Sequence, residues 1–184
     1  MYSHHGPGLD LNHLADDAHL TVEVHSVVAS ARRRATRDGD RQVDTAHLLH
    51  SLLENDPRAY AACDAGGGQS ARMLGYLVQR SIGYGLRWHG SVEDSGELPT
   101  VGEGAAPGWS PSAAAAMRAA VVLARRGGRL RADGVDLLHA LAADPQCRAM
   151  DVFRAAGIDV GTFGDGAASH RDDSGYRDDG PVAS

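Results

Sequence analysis

Apolar residues recur at three- and four-residue intervals over most of this chain, interrupted by glycines, prolines and capping residues. That spacing predicts helices. Val24, Val27, Val28, Ala31 and Ala35 share one face of a first helix, which Thr21 can cap and Gly39 stops. Arg32, Arg33, Arg34 and Arg37 take the other face near its C-terminal end, where cations suit the helix dipole. Asp44 or Thr45 opens a second helix with Ala46, Leu49 and Leu53 in a stripe that Leu48 and Leu52 widen. Asn55-Asp56-Pro57 closes it, because a residue before proline disfavours helix and proline suits the next helix start. A third helix is expected from about Pro57 to Asp64, and a fourth from Gln69 to Ser81 with Met73, Leu74, Leu77 and Val78. After Trp109-Ser110-Pro111, a serine cap with proline just inside, a fifth runs to Arg126. A sixth is expected from Asp133 to Ala143 and a seventh from Pro145 to Ala156, ended by Gly157. Ile158 to Phe163 begins an eighth that Gly161 and Gly164 cut short.

The pattern is written twice. Asp44-Thr45-Ala46-His47-Leu48-Leu49-His50-Ser51-Leu52 returns 89 residues later as Asp133-Gly134-Val135-Asp136-Leu137-Leu138-His139-Ala140-Leu141. In the same register Ala31, Ala35, Arg37 and Gly39 fall on Ala120, Ala124, Arg126 and Gly128. A helical unit repeated only twice predicts a closed pseudo-twofold domain rather than an open solenoid. The expected fold class is therefore all-α: two pseudo-symmetric four-helix repeats forming one compact domain. The divisions are a lead-in over 1–19, a first repeat over 20–83, a linker over 84–108, a second repeat over 109–163, and a disordered acidic tail over 164–184. The linker assignment rests on its glycines, prolines and scattered acids, with Trp88 and His89 near its start. The tail assignment rests on the lack of apolar periodicity.

Composition narrows the function classes. All 18 basic residues are arginine, so no side chain can form a Schiff base. The net charge of −6 excludes a basic footprint for nucleic acid. No apolar run approaches the length of a membrane span, and the first residues lack the charged-then-apolar pattern of a signal peptide, so a cytoplasmic protein with no membrane partner is expected. Cys63 and Cys147 occupy non-equivalent repeat positions and read as free buried thiols.

The repeat resembles the N-terminal domain of Clp-type AAA+ unfoldases, the ClpC kind above all. Trp109-Ser110-Pro111 matches that family's aromatic-Thr-Pro opening. Thr45-Ala46-His47-Leu48-Leu49-His50-Ser51-Leu52 matches its Gly-Thr-Glu-His-Leu-Leu signature, and Ala156-Gly157-Ile158-Asp159-Val160 matches its close. The resemblance covers about residues 17 to 163. It implies eight helices in two halves and a stand-alone Clp repeat protein that binds other proteins. Without lysine there is no Gly-x-x-x-x-Gly-Lys-Ser/Thr loop, so no ATP-driven unfolding, no enzyme activity and no cofactor are expected. In ClpC-like domains the Glu of each signature holds the guanidinium of phosphoarginine. The matching residues here are Ala46 and Val135, which cannot pair a guanidinium.

Trp109, Met117, Val121, Val27 and Val28 correspond to the apolar surface that the resemblance assigns to hydrophobic partners and cyclic-peptide antibiotics. The same five residues also read as core that seals the two halves. His47 and His50 could present two metal ligands, but no third at compatible spacing is evident, and capping or surface imidazoles are the simpler reading. The expected function is a non-enzymatic peptide- or protein-binding module. It would be an accessory to Clp proteolysis, partnered by a Clp unfoldase, or a decoy for antibiotics aimed at ClpC. The alternative is a regulatory or assembly protein that binds a partner through its arginine face and acidic tail.

Overall fold

The computed structural model describes residues 19–64, 67–81, 93 and 108–161. Seven helices make up most of it: α1 Val22–Asp38, α2 Thr45–Asn55, α3 Pro57–Cys63, α4 Gln69–Ser81, α5 Pro111–Arg126, α6 Gly134–Ala142 and α7 Arg148–Ala155. Two strands of two residues each, β1 Gln42–Val43 and β2 Gly108–Trp109, complete the regular structure among these residues. The fold is all-α, as the sequence pattern predicts. The lead-in over 1–18, nearly all of the 84–108 segment and the tail from 162 lie outside the described residues.

The duplication is visible in local geometry. α1 and α5 end on glycines at equivalent positions, Gly39 with φ 71° and Gly128 with φ 72°. Beyond each, Asp40 N–H donates to Ala35 O and Arg129 N–H donates to Ala124 O, both at 2.9 Å. These are matched Schellman closures, and they need the left-handed conformation that glycine adopts without a steric cost. α2 and α6 both begin with a capping box at an aspartate: Asp44 accepts from His47 N–H, and Asp133 from Val135 and Asp136 N–H. Each reciprocal acceptor is the third helical residue, His47 in one half and Asp136 in the other.

The halves exchange their entry segments. Val43, before α2, pairs in parallel with Trp109, before α5, while Leu20, before α1, pairs with Ala132, before α6. Ser110 N–H accordingly donates to Val43 O and Thr21 N–H to Ala132 O, both at 3.0 Å. The short third helices cross over too: α7 packs on α2 and α3 packs on α6. At the second of these crossings a Cβ on Gly134 would lie 1.9 Å from Asp56 Oδ2, so only glycine fits where α6 begins. Between the halves runs one hydrophobic cluster that includes Leu48, Leu49, Leu52, Leu137, Leu138, Leu141, Met73, Leu77 and Phe153. Each half lends the other backbone pairing and a helix face, so the two repeats form one unit.

Two details differ from the sequence pattern. α7 starts at Arg148, three residues after the expected Pro145, because Asp144 Oδ1 accepts from Gln146 N–H and holds that stretch as a turn. In place of an eighth helix, the described chain ends in a short 3₁₀ turn at 160–161. The second half thus shows three α-helices where four were expected among its described residues.

Candidate partner-binding site

Trp109 stands where α1 approaches the start of α5. Its backbone is fixed by β2, and Ser110 caps α5 by accepting from Ala113 N–H at 3.1 Å. The indole packs on the core along one side and keeps the other partly exposed. Over its ring lies the Arg32 guanidinium, 5.3 Å from the centroid, a cation–π contact between α1 and α5. Met117, Val121, Val27 and Val28 all belong to the cluster beneath. Val27 is wholly enclosed, and Val28, Met117 and Val121 keep only slivers of exposure. The structure therefore brings all five predicted residues into one continuous apolar body, with Trp109 as its partly exposed member. Around it, Arg33 and Arg37 project from α1 into solvent, whereas Arg34 is held by Glu54. Ala46 is enclosed and Val135 half-buried, and neither side chain offers a polar group.

Beside this surface lies a buried polar hub that the sequence reading did not foresee. Asp44 is the centre of one part. Beyond its capping bond to His47, its Oδ2 takes Arg80 Nη2 from the end of α4 and Arg148 Nη1 from the start of α7, each at 2.5 Å. Burial alone would raise the Asp44 pKa, but His47, Arg80 and Arg148 outweigh it and hold the carboxyl far below its usual range. Glu93 is the centre of the other part, and only 5% of it is exposed. It accepts from Thr45 N–H (3.0 Å), Thr45 Oγ1 (2.5 Å), Ser110 Oγ (2.6 Å) and Arg148 N–H (2.9 Å). Thr45 Oγ1 in turn accepts from Ala149 N–H at 3.0 Å. One carboxylate thus satisfies the N-termini of α2, α5 and α7, where helix dipoles favour negative charge.

Burial also shifts His50, Cys63 and Cys147. The imidazole of His50 is enclosed 3.2 Å from Glu54, and burial with the nearby Arg34 lowers its pKa to about 4. A base whose folded pKa lies below its unfolded value of about 6.5 contributes stability above that pH. The contribution is lost as pH falls from about 6.5 towards 4, where the unfolded chain binds the extra proton. Melts should therefore show a lower Tm at pH 5 than at pH 7, and His50→Gln should flatten that slope; an unchanged slope in the variant would mean that other groups carry it. Cys63 and Cys147 are buried and unbridged, with pKa values pushed up by burial to about 12 and about 11, so both remain weakly nucleophilic thiols.

Glu93 lies in a glycine- and proline-rich stretch without periodicity, so no local signal marks it. The Asp44–Arg148 pair spans 104 residues and was equally hidden, although Asp44 as a cap was legible.

No protein-family model matches the sequence, and no curated protein matches it. Solved structures do match. The Hsp104 N-terminal domain from Candida albicans aligns at a TM-score of 0.62 and 14% identity, over 82% of this chain and 90% of that one. The N-terminal domain of the caseinolytic protease associated chaperone ClpD from Arabidopsis thaliana aligns at 0.56 and 18% identity, over 80% and 91%. A structure described as part of a malarial protein secretion system aligns at 0.57 and 11% identity, over 79% and 90%. Cross-paired halves, matched helix closures and these alignments agree: the chain has the fold of a Clp/Hsp104-type N-terminal domain.

Proposed function

We propose that this chain is a non-enzymatic binding module for hydrophobic peptides or proteins, with Trp109 as its anchor. One observation carries the reading: a partly exposed indole, fixed by β2 and the Ser110 cap, stands over an apolar floor with Arg32 on its ring. Indole and guanidinium are the side chains most often found at the energetic centre of protein interfaces. Met117, Val121 and Val28 form the floor with Val27 enclosed beneath them, and the flexible Met117 side chain lets it adapt to a ligand. The likeness in fold to N-terminal domains of named chaperones supports the same class. Two roles suit such a module: an accessory to Clp proteolysis that meets a Clp unfoldase, or a decoy that sequesters an apolar cyclic-peptide antibiotic.

A fluorescence titration tests the reading. Trp88→Phe leaves Trp109 as the sole indole. Adding an apolar cyclic peptide should shift and saturate its emission, and Arg32→Ala should weaken the response. No emission change at any concentration would remove Trp109 as the anchor. The exposed Arg33 and Arg37 favour a second reading, in which this helix face and the acidic tail hold a regulatory partner.

A further inference from the structure

At the turn between α1 and α2, three metal-ligating side chains crowd together. Asp38 is the last residue of α1, Asp40 follows the left-handed Gly39, and His47 is the third residue of α2. One donor atom from each lies within 4.8 Å of the other two. His47 Nε2 is 3.0 Å from Asp40 Oδ2. Two donors that share a zinc-sized cation at 2.0–2.2 Å stand roughly 3.0–3.5 Å apart, so this pair already has the spacing of a coordination edge.

A second, independent observation concerns satisfaction. Among the described residues, Asp38 Oδ2 is buried without a hydrogen-bond partner, and the buried His47 Nε2 lies 3.0 Å from Asp40 Oδ2 without hydrogen-bond geometry. The His47 side chain is 1% exposed and that of Asp38 10%. Buried polar atoms of this kind are costly when left orphaned, and a single cation would satisfy both. Asp40 is 27% exposed, which gives an entry path and room for water to complete the shell. On the far side of the ring, His47 Nδ1 is 2.8 Å from Asp44 Oδ1. Nδ1 also accepts from Asp44 N–H at 3.2 Å, so Asp44 fixes the ring with Nε2 turned towards Asp40, and a cation would take the place of the Nε2 proton. The cations facing the cluster are already engaged by carboxylates: Arg37 Nε is 3.1 Å from Asp38 Oδ1, and Arg80 Nη2 is 2.5 Å from Asp44 Oδ2 and 3.4 Å from Asp40.

We infer that Asp38, Asp40 and His47 form a divalent-cation site of the zinc class, one imidazole and two carboxylates, that pins the end of α1 to the start of α2. The i, i+3 spacing of His47 and His50 does not make the site. His50 instead lies against Glu54, and the two further ligands come from the end of the preceding helix.

Calorimetric titration of zinc chloride into the full chain tests this, in a His4→Ala/His5→Ala background that removes the adjacent N-terminal imidazoles. One equivalent should bind, and Asp38→Asn should weaken it at least tenfold. Zinc should raise the Tm of the parent, with reversal by EDTA, and leave that of Asp38→Asn unmoved. Asp40→Asn is the second variant should Asp38→Asn fold poorly, and the same loss is expected. Failure of the parent to bind zinc at micromolar concentration would overturn the inference. Binding unchanged in a folded Asp38→Asn or Asp40→Asn protein would overturn it equally.

Discussion

Asp44→Ala should lower stability by about 3–5 kcal/mol, the range for breaking a buried charge network by deleting one partner. In a chain of this size that is a fall in Tm of about 6–20 °C. The carboxylate is 1% exposed, and Arg80 and Arg148 both converge on its Oδ2. Its loss also removes the α2 cap and the acceptor facing His47. Because Arg148 comes from the second half and Asp44 from the first, the damage should fall on the seam between halves. The pseudo-equivalent Asp133→Ala is the control. It removes the same kind of cap, but its arginine partners Arg129 and Arg58 have side chains 46% and 74% exposed, where water screens the pairs. That variant should cost only about 1 kcal/mol, as for an ordinary N-cap. Chemical denaturation of the two proteins compares them directly. Equal losses would mean that Asp44 matters as a cap and that its arginine pairs contribute little.

Glu93→Ala should cost about 3 kcal/mol or more, a large effect for a residue outside every helix. It strips the acceptor from two backbone N–H groups, Thr45 and Arg148, and from two hydroxyls at three helix starts. Each buried donor left unsatisfied costs about 1–3 kcal/mol. Glu93→Gln keeps the size but presents an amide NH₂ to groups that are themselves donors, so it should recover only part of the loss. Amide hydrogen exchange locates the effect: protection should fall at the first turns of α2, α5 and α7 together. A uniform loss of protection, or none, would contradict the idea of one carboxylate serving three helices.

These two residues mark where local sequence stops being informative. The helices were legible because Val24 to Ala35, Leu48 to Leu53 and their counterparts repeat at helical spacing between strong stops such as Gly39 and Gly128. The all-α duplicated fold follows from that pattern read twice. The cross-pairing of Val43 with Trp109 and of Leu20 with Ala132 was not legible, since two-residue strands carry no period and their partners lie far along the chain. Pro145 looked like a helix start, but Asp144 captured the next N–H and moved the start to Arg148. At the candidate site, periodicity put Val27, Val28, Met117 and Val121 on a buried face, yet spacing alone cannot tell a sealed core from the floor of a binding surface. The stacking of Arg32 on Trp109 depends on how α1 meets α5, which only the assembled fold supplies.

On the proposed reading Trp109 serves binding more than stability, and one variant measured in two ways tests it. In the Trp88→Phe background, Trp109→Ala should weaken binding of an apolar cyclic peptide by about 2 kcal/mol, roughly thirtyfold in Kd, as for a central aromatic anchor. Helicity should be unchanged and the melt only slightly shifted. If Trp109 is instead a core residue, the same variant should lose about 3–5 kcal/mol of stability, the parent's emission should already be blue-shifted without ligand, and the peptide should leave it unmoved.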